Sequence, residues 1–532
     1  MSFSDNEFIA ILEAAADFVD YRSGQYFIRR DSNSPSGGSA LRLRDSSQLP
    51  PWAIDLRRMF SALAQFEFDA NRNAPLVEVC RAGARFGRQE LDSTLAPESR
   101  ALLSKNAKEC LERDLQSILE KATRPCLELE RKSYDMARAA MGLQNAETDP
   151  RIGDSKFLGK KPSERLFAIF GRFPVLPRLW LQLISQWRDQ VAELLTRLAA
   201  DRTAISRGFL AGRPAGRILA IRCGLSDPHN EGRAVMLLRF ASGKVIYKPR
   251  PGDGEWEWFS FLEGMNAQSF RPKLKAARVL RGQGYCWMEC MESVSCTDEA
   301  AARRFYRRIG GMMGAAYLLR AVDFHRDNVI AAGENPVLVD AEALWHDYPG
   351  TKAQSKVELL QRTGFLPKLD TRSLQSRSSV LGRCKGKHVP RIRGKALRAV
   401  HYEHEIVAGF RQAWRSVLGT SESRAAFVRR IRRITSRKRR SIYRPTETYA
   451  AIARASIQPA AVRSGIERDL LLARLCSRRT APASVIHAEI AALKRLDIPY
   501  FVRRSKGRLS PDKETIPIEV IESLQHALDS LK

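Results

Sequence analysis

The feature that most constrains this chain is a set of three polar residues around a short apolar segment. Asp323 and Asn328 are five positions apart, and Asp340 follows Asn328 by twelve positions, directly after the apolar residues 336–339. In kinase-type sites the first aspartate orients the attacking hydroxyl, while the asparagine and second aspartate hold magnesium on the nucleotide phosphates. Magnesium takes hard oxygen ligands and needs few from the protein. The spacing therefore predicts an enzyme that uses ATP and Mg²⁺, with Asn328 and Asp340 as metal ligands.

Strand patterns precede this set along the chain, and helical patterns surround it. Lys248 closes one predicted strand, where it could clamp ATP phosphates, although a strand lysine is often an ordinary charged edge residue. A helical carboxylate should orient this lysine, and we expect Glu255 in that role, with Glu257 and Glu263 as alternatives. The predicted strands lie at 218–221, 234–240, 245–247 and 285–291, and the predicted helices at 255–265 and 300–322.

The length of 532 residues allows two or more packed units. The order of a small sheet bearing a lysine, a connecting strand and a helix before the aspartate loop is typical of a bilobal kinase. The predicted fold class is therefore α+β, with a small antiparallel-sheet lobe, a helical lobe and additional helical subdomains. We expect an N-terminal helical region at 1–165, with a Ser/Gly/Pro loop at 32–51 and a helix break at Pro125. A kinase-like domain should follow at 166–532. Within it we expect helices at 166–214, the small lobe at 215–295 and a mainly helical part at 296–532.

The net charge of +30 is concentrated in one part of the chain. Residues 351–450 contain 25 Lys or Arg against 6 Asp or Glu, a net charge of +19. Such a field attracts polyanions, including nucleic acid, ATP, an anionic membrane or an acidic peptide, although a solvated basic surface has the same composition. No known nucleic-acid-binding module is apparent, so nucleic acid is not an expected partner.

The remaining composition indicates a soluble cytoplasmic protein. Residues 1–20 are acidic and lack the basic start and apolar core of a secretory signal, and the uncharged stretch 309–319 is too short to span a bilayer. Among nine cysteines, Cys286, Cys290 and Cys296 cluster without the paired spacing of a zinc site. We therefore expect reduced thiols, no cysteine-bound metal and no membrane span.

Two further clusters contain groups suited to phosphate or proton transfer. In residues 227–233, His229 lies beside Asp227 in a glycine-containing loop, which is also the composition of an ordinary turn. Arg440, Arg444 and Thr446 could bind a phosphate, or form a solvated basic helix end. No GxGxxG or GxxxxGK[ST] motif occurs, which disfavours a standard protein kinase or P-loop enzyme.

Seven segments, taken in order, resemble the dehydratase region of class II lanthipeptide synthetases, the LanM type. The resemblance covers the chain from about residue 165 to near its C-terminus and implies a lipid-kinase-like fold decorated with peptide-binding helices. The matching segments are 172–179 (RFPVLPRL), 227–233 (DPHNEGR), 245–250 (VIYKPR), 322–332 with 336–344, 363–367 (TGFLP), 440–449 and 497–501 (DIPYF).

The resemblance implies that one site phosphorylates Ser or Thr of a ribosomally made precursor peptide with ATP and Mg²⁺. The same site then eliminates the phosphate to leave dehydroalanine or dehydrobutyrine. The partner is thus a precursor peptide, with a leader and a Ser/Thr-containing core. Carried onto this chain, the phosphorylation residues are Lys248, Asp323, Asn328 and Asp340 with His325 supporting the loop, and the elimination residues are His229, Arg440 and Thr446 with Asp227 beside His229.

The chain departs from the full synthetases in one respect that matters for function. Those enzymes carry a C-terminal cyclase domain with Cys and His zinc ligands, whereas Cys476 is the last cysteine here. We therefore expect no cyclase activity, so that ring closure would need a separate zinc cyclase. Two alternatives remain open: a kinase-like phosphotransferase without elimination, and a non-catalytic protein that binds peptide or nucleic acid on a kinase scaffold.

Overall fold

The computed structural model describes residues 4–16, 51–66, 75–142, 162–346, 356–367, 379–382, 385–436, 438–477, 482–504 and 518–529. The helices are α1 Asp5–Ala15, α2 Pro51–Ala64, α3 Pro75–Thr94, α4 Pro97–Ala101, α5 Lys105–Ala140, α6 Pro162–Arg172, α7 Val175–Phe209, α8 Asp253–Ala267, α9 Glu299–Leu318, α10 Lys356–Arg362, α11 Glu403–Leu418, α12 Ser421–Ser436, α13 Thr446–Ala455, α14 Gly465–Cys476, α15 Ala483–Lys494 and α16 Ile518–Asp529. The strands are β1 Ala220–Arg222, β2 Met236–Phe240, β3 Gly243–Lys248, β4 Val279–Arg281, β5 Cys286–Glu289, β6 Val329–Ala332, β7 Asn335–Leu338, β8 Arg391–Ile392, β9 Lys395–Ala396, β10 Lys438–Ser441 and β11 Phe501–Arg504.

These elements confirm the α+β class, with antiparallel strand pairs among many helices. The chain divides into two compact units, each built from separate stretches of sequence. The first unit contains Met1–Thr203, Pro214–Gly243 and Arg444–Pro499, and the second contains Ala204–Arg213, Lys244–Tyr443 and Tyr500–Lys532. The predicted Ser/Gly/Pro loop at 32–51 lies outside the described residues, apart from its last position.

The first unit is mainly helical, and its longest helix contradicts one prediction. Pro125 was expected to break the helical pattern, but α5 continues through it to Ala140. Proline removes one backbone hydrogen bond, and tertiary contacts here outweigh that loss. Just before the proline, Thr123 donates a hydrogen bond to the Leu119 carbonyl at 2.7 Å and accepts one from the buried Trp180 indole at 2.9 Å. Thr123 just before the proline and Cys126 and Leu127 just after it are all buried, so α5 is packed on both sides of Pro125.

The core of the second unit forms around α9, which is buried along most of its length. The Asp298 carboxylate caps its first turn by accepting a hydrogen bond from the Ala301 N–H at 2.7 Å. α9 packs closely against α11 at two glycines: a Cβ on Gly310 would lie 1.9 Å from the Ile406 carbonyl oxygen, and a Cβ on Gly409 would lie 2.0 Å from that of Arg307. The two helices therefore contact each other backbone to backbone.

Strands β3, β5 and β4 of the second unit pair antiparallel in that order, and Lys248 lies opposite Cys286. The predicted strands at 234–240, 245–247 and 285–291 are present, whereas β4 was not predicted. Among the described residues, no single helix is long and apolar enough to cross a bilayer, although α6 and α7 pass that test as a pair bent by 109°.

Candidate active site

The hairpin of β6 and β7 brings the two predicted magnesium ligands together. Val329 pairs with Leu338 at the end of the hairpin that is farthest from the turn, and Asn328 and Asp340 lie just beyond that pair. The Val339 N–H donates a hydrogen bond to the Asn328 carbonyl at 2.7 Å, which closes this end of the hairpin. Residues at the end of an antiparallel pair are neighbours, so a separation of twelve positions becomes a short distance in space.

Asp323 lies in the loop between α9 and β6. Its φ of 69° is in the left-handed region, which costs energy for residues other than glycine, although aspartate adopts it more readily than most. The loop is fixed on both sides: the Val322 N–H donates to the Ala343 carbonyl at 3.0 Å, and the Phe324 N–H donates to the Thr363 carbonyl at 3.1 Å. Such strain is typical of functional loops that the surrounding structure holds in place.

The side chains of this loop form a local hydrogen-bond set. The Asn328 side-chain amide nitrogen donates to the Asp323 backbone carbonyl at 2.8 Å. The side-chain oxygen of Asn328 therefore points away from that carbonyl. The His325 Nδ1 accepts a hydrogen bond from the Asp327 N–H at 3.2 Å, while its Nε2 lies 3.4 Å from the Asn328 amide nitrogen and 3.9 Å from the Asp323 carboxylate. The His325 side chain therefore stabilises the loop by binding the Asp327 backbone N–H.

Lys248 and Glu255 form the pair expected from the sequence. The Lys248 ammonium donates to Glu255 at 2.7 Å and also to the Val339 carbonyl, next to Asp340. Both side chains are buried, Glu255 completely. The alternative carboxylate Glu257 is instead engaged by arginines of α12. The structure thus places the lysine, its carboxylate and Asp340 in one cluster.

Arg250 connects this cluster to the aspartate, although no role was predicted for it. Its guanidinium donates to both oxygens of Glu255, at 2.6 and 3.1 Å, and to the Asp340 carboxylate at 2.7 Å. Burial opposes ionisation of Asp340, but the charges of Arg250, Lys248 and Arg440 outweigh it and lower the pKa of Asp340 well below its usual range. Asp340 is therefore a carboxylate, with oxygens that could accept a cation.

Asp323 experiences the opposite balance. Burial raises its pKa above the ordinary value, and the nearby carboxylates of Asp340 and Glu342 raise it further, while His325 and Arg440 lower it. A carboxylate with a raised pKa binds a proton more readily than an ordinary aspartate. This is the direction required of a group that receives the proton of a hydroxyl.

Arg440 lies on β10, which pairs with β11 so that Arg440 is opposite Val502. Its guanidinium donates to Glu342 and lies over the Tyr500 ring, 5.5 Å from the centroid. Glu342 also contacts the Arg250 Nε at 3.0 Å and accepts a hydrogen bond from the Tyr500 hydroxyl at 3.1 Å. Glu342 is therefore shared between two arginines, one on each side.

The loop that contains His229 belongs to the first unit. The His229 Nδ1 donates to the Ile498 carbonyl at 2.7 Å, so its Nε2 is the nitrogen able to accept a proton. Both Asp497 oxygens accept hydrogen bonds from the loop backbone, from Glu231 at 2.6 Å and from Gly232 at 2.7 Å. Asp497 and Ile498, at the start of the segment 497–501, thus contact the segment 227–233 within the first unit.

The other predicted residues of the first unit have simpler surroundings. Asp227 is exposed, and Thr446 is half-buried at the first position of α13. Arg444, which the sequence offered as a phosphate ligand, is buried and bidentate to Glu489, at 2.7 and 2.8 Å. Glu489 also accepts a hydrogen bond from Tyr449 at 2.6 Å. The surroundings of Arg444 are those of a structural ion pair.

Comparison with known proteins agrees with the resemblance in the sequence. A domain of unknown function, DUF4135, matches residues 173–390 and 382–504, which is more than half of the chain. The protein belongs to the DUF4135 family. It is also 24% identical to the lacticin 481/lactococcin biosynthesis protein LcnDR2 of Lactococcus lactis subsp. lactis, over 54% of this chain and 37% of that relative. The prediction of a LanM-like protein is therefore confirmed, and the match covers little more than a third of the relative's length.

The donor set of this DUF4135 chain fits magnesium. Asn328 turns its amide oxygen away from Asp323, and Asp340 is ionised, so both offer hard oxygens. Within the described ranges, no group of three or more His, Cys, Asp or Glu could hold a metal ion. Two protein ligands suit an ion whose other ligands are phosphate and water. Asn328 and Asp340 would hold it.

Sequence reasoning missed three residues of the site, Arg250, Glu342 and Tyr500. Each lies inside a segment that matched the family pattern, two positions after Lys248, two after Asp340, and within 497–501. Their positions in the motifs were a usable signal. Their mutual contacts, between residues separated by up to 158 positions, were not visible in the sequence.

Proposed function

We propose that this protein uses ATP to dehydrate Ser and Thr residues of a ribosomally made precursor peptide in lanthipeptide-type biosynthesis, in the cytoplasm. We further propose that its core is a lipid-kinase-like bilobal fold. The observation that carries the proposal is the convergence of Asn328, Asp340 and the Lys248–Glu255 pair around the strained Asp323 loop. The similarity to a lacticin 481/lactococcin biosynthesis protein supports the substrate class.

In the first step the side chains carry out phosphoryl transfer. Asp323 orients the Ser or Thr hydroxyl and receives its proton. The hydroxyl oxygen then bonds to the γ-phosphorus, and the bond between that phosphorus and the bridging oxygen breaks to release ADP. Lys248, held by Glu255, balances the phosphate charge. Magnesium, when bound at Asn328 and Asp340, supplies further charge neutralisation.

In the second step the phosphate leaves. A base removes the Cα proton, the electron pair forms the Cα=Cβ bond, and the Cβ–O bond breaks so that phosphate departs with its bonding electrons. His229 is suited to the base role because its Nε2 is the proton-accepting nitrogen. Arg440 is suited to neutralise the departing phosphate, and Thr446 and Asp227 are proposed to assist.

Mass spectrometry of the precursor peptide after incubation with the protein, ATP and Mg²⁺ tests this function. We expect the peptide to lose the mass of one water for each modified residue. A stable gain of phosphate would favour the phosphotransferase alternative instead, and an unchanged mass would favour a binding protein. The protein's own operon neighbours, screened for a short Ser/Thr/Cys-rich reading frame, supply the peptide to be used.

Single variants separate the two steps. Asp340→Asn should leave the peptide unmodified, because it removes an ionised metal ligand, whereas His229→Ala and Arg440→Ala should accumulate phosphopeptide. Asp327→Asn is the matched control, since its side chain lies in the same loop but is 72% exposed. Normal dehydration by Arg440→Ala would show that the proposed elimination site is wrong.

A further inference from the structure

Glu342 is the residue of the second unit whose contacts the proposed reaction leaves unexplained. It follows the metal ligand Asp340 by two positions, is only 9% exposed, and is an acid placed where an incoming phosphate needs cations. One of its oxygens accepts from Arg440, and the other contacts Arg250 and the Tyr500 hydroxyl. A carboxylate held by this many donors resembles a bound phosphate in its hydrogen bonding.

The Arg440 guanidinium is arranged to exchange partners. A guanidinium has five N–H donors, and among the described residues its hydrogen bond goes to Glu342. Its Cζ lies over the Tyr500 ring, 5.5 Å from the centroid, a contact that uses none of the N–H donors. Arg440 can therefore stay in place while its anionic partner changes.

We propose that Glu342 is the resident anion of a phosphate subsite, occupying Arg440 until the phosphate of a modified residue replaces it, and taking Arg440 back when phosphate leaves. This inference rests on the proposed function and adds that Glu342 competes with phosphate for Arg440. Glu342 positions and screens Arg440 and does not touch the reacting atoms. Its presence weakens phosphate binding at Arg440, which favours release of the product.

The test measures the binding of inorganic phosphate by isothermal titration, without peptide or ATP. Glu342→Gln keeps the size of the side chain but removes its charge, so we expect phosphate to bind about tenfold more tightly than to the native protein, since one nearby like charge has been removed. The gain should disappear in the double variant Glu342→Gln/Arg440→Gln. Unchanged or weaker binding by Glu342→Gln, or a gain that persists in the double variant, would overturn the proposal.

A second variant covers the case in which Glu342→Gln does not fold, because two buried arginines lose a counter-ion. Glu342→Asp keeps the charge but withdraws the carboxylate by one methylene, so it cannot hold Arg440 and Arg250 together. We expect about threefold tighter phosphate binding, and equal or weaker binding would refute the exchange. The binding measurement contains no peptide and no ATP. Its result therefore stands even if the protein fails to dehydrate a precursor peptide, so the two proposals can fail separately.

Discussion

Asp114 allows a quantitative test of the first unit. Burial raises the pKa of Asp114 to about 6 from its ordinary 3.8, although the nearby Cys223 thiol, Lys121 ammonium and Trp187 indole lower it. A carboxyl group whose pKa is higher in the folded protein binds protons more tightly when folded. The folded protein therefore loses stability as the pH rises from about 4 to about 6, and the loss is complete above that range.

The size of this effect follows from the two pKa values. At 1.36 kcal/mol per pH unit, the difference between about 6 and 3.8 corresponds to about 3 kcal/mol of destabilisation at pH 7. Asp114→Asn has no charge to bury and should escape this penalty. Relative to the native protein, the variant should gain about 3 kcal/mol between pH 4 and pH 7.

Urea denaturation of both proteins across this pH range, followed by tryptophan fluorescence, measures the difference in the free energy of unfolding. Glu109→Gln, which removes an exposed carboxylate from the same helix, is the matched control. A difference between Asp114→Asn and the native protein that stays constant from pH 4 to pH 7 would refute the argument, because the carboxyl would then titrate alike in the folded and unfolded chains.

Two further predictions concern packing and buried charge. Gly310→Ala should lower the free energy of unfolding by about 1–3 kcal/mol, because its Cβ would lie 1.9 Å from the Ile406 carbonyl oxygen. Thermal unfolding measures this loss, and an unchanged midpoint would contradict the close crossing of α9 and α11. Glu489→Gln should cost about 3–5 kcal/mol, because it leaves the buried Arg444 charge uncompensated and weakens the Tyr449 hydrogen bond. Native-like stability of Glu489→Gln would contradict the assignment of Arg444 to a structural ion pair.

The local part of the candidate site could be predicted from the sequence. Asn328 and Asp340 are joined by a short hairpin, and Lys248 and Glu255 are only seven positions apart. Their short separations, together with strand and helix periodicity, are enough to bring the members of each pair together. The α+β class follows from the same periodicities. The roles of these residues remain predictions.

Contacts over long sequence distances could not be predicted in this way. The contact of α5 with Trp180 next to Pro125 joins residues 57 positions apart, and strand β11 is too short and too basic to show an alternating pattern. The Glu342 contacts with Arg440 and Tyr500 depend on how distant segments pack. Local propensity does not contain this information, because burial and ion pairing override it.

The ribbon of β10 and β11 makes the position of Arg440 depend on a distant part of the chain. Arg440 is held in register by a strand encoded more than fifty codons later, and Tyr500, beneath its guanidinium, comes from the same distant stretch. A premature stop or a protease cut before residue 500 would leave every proposed phosphotransfer side chain in the polypeptide but remove the support of Arg440. On the proposed function, shortened products would then stop at the phosphorylated peptide.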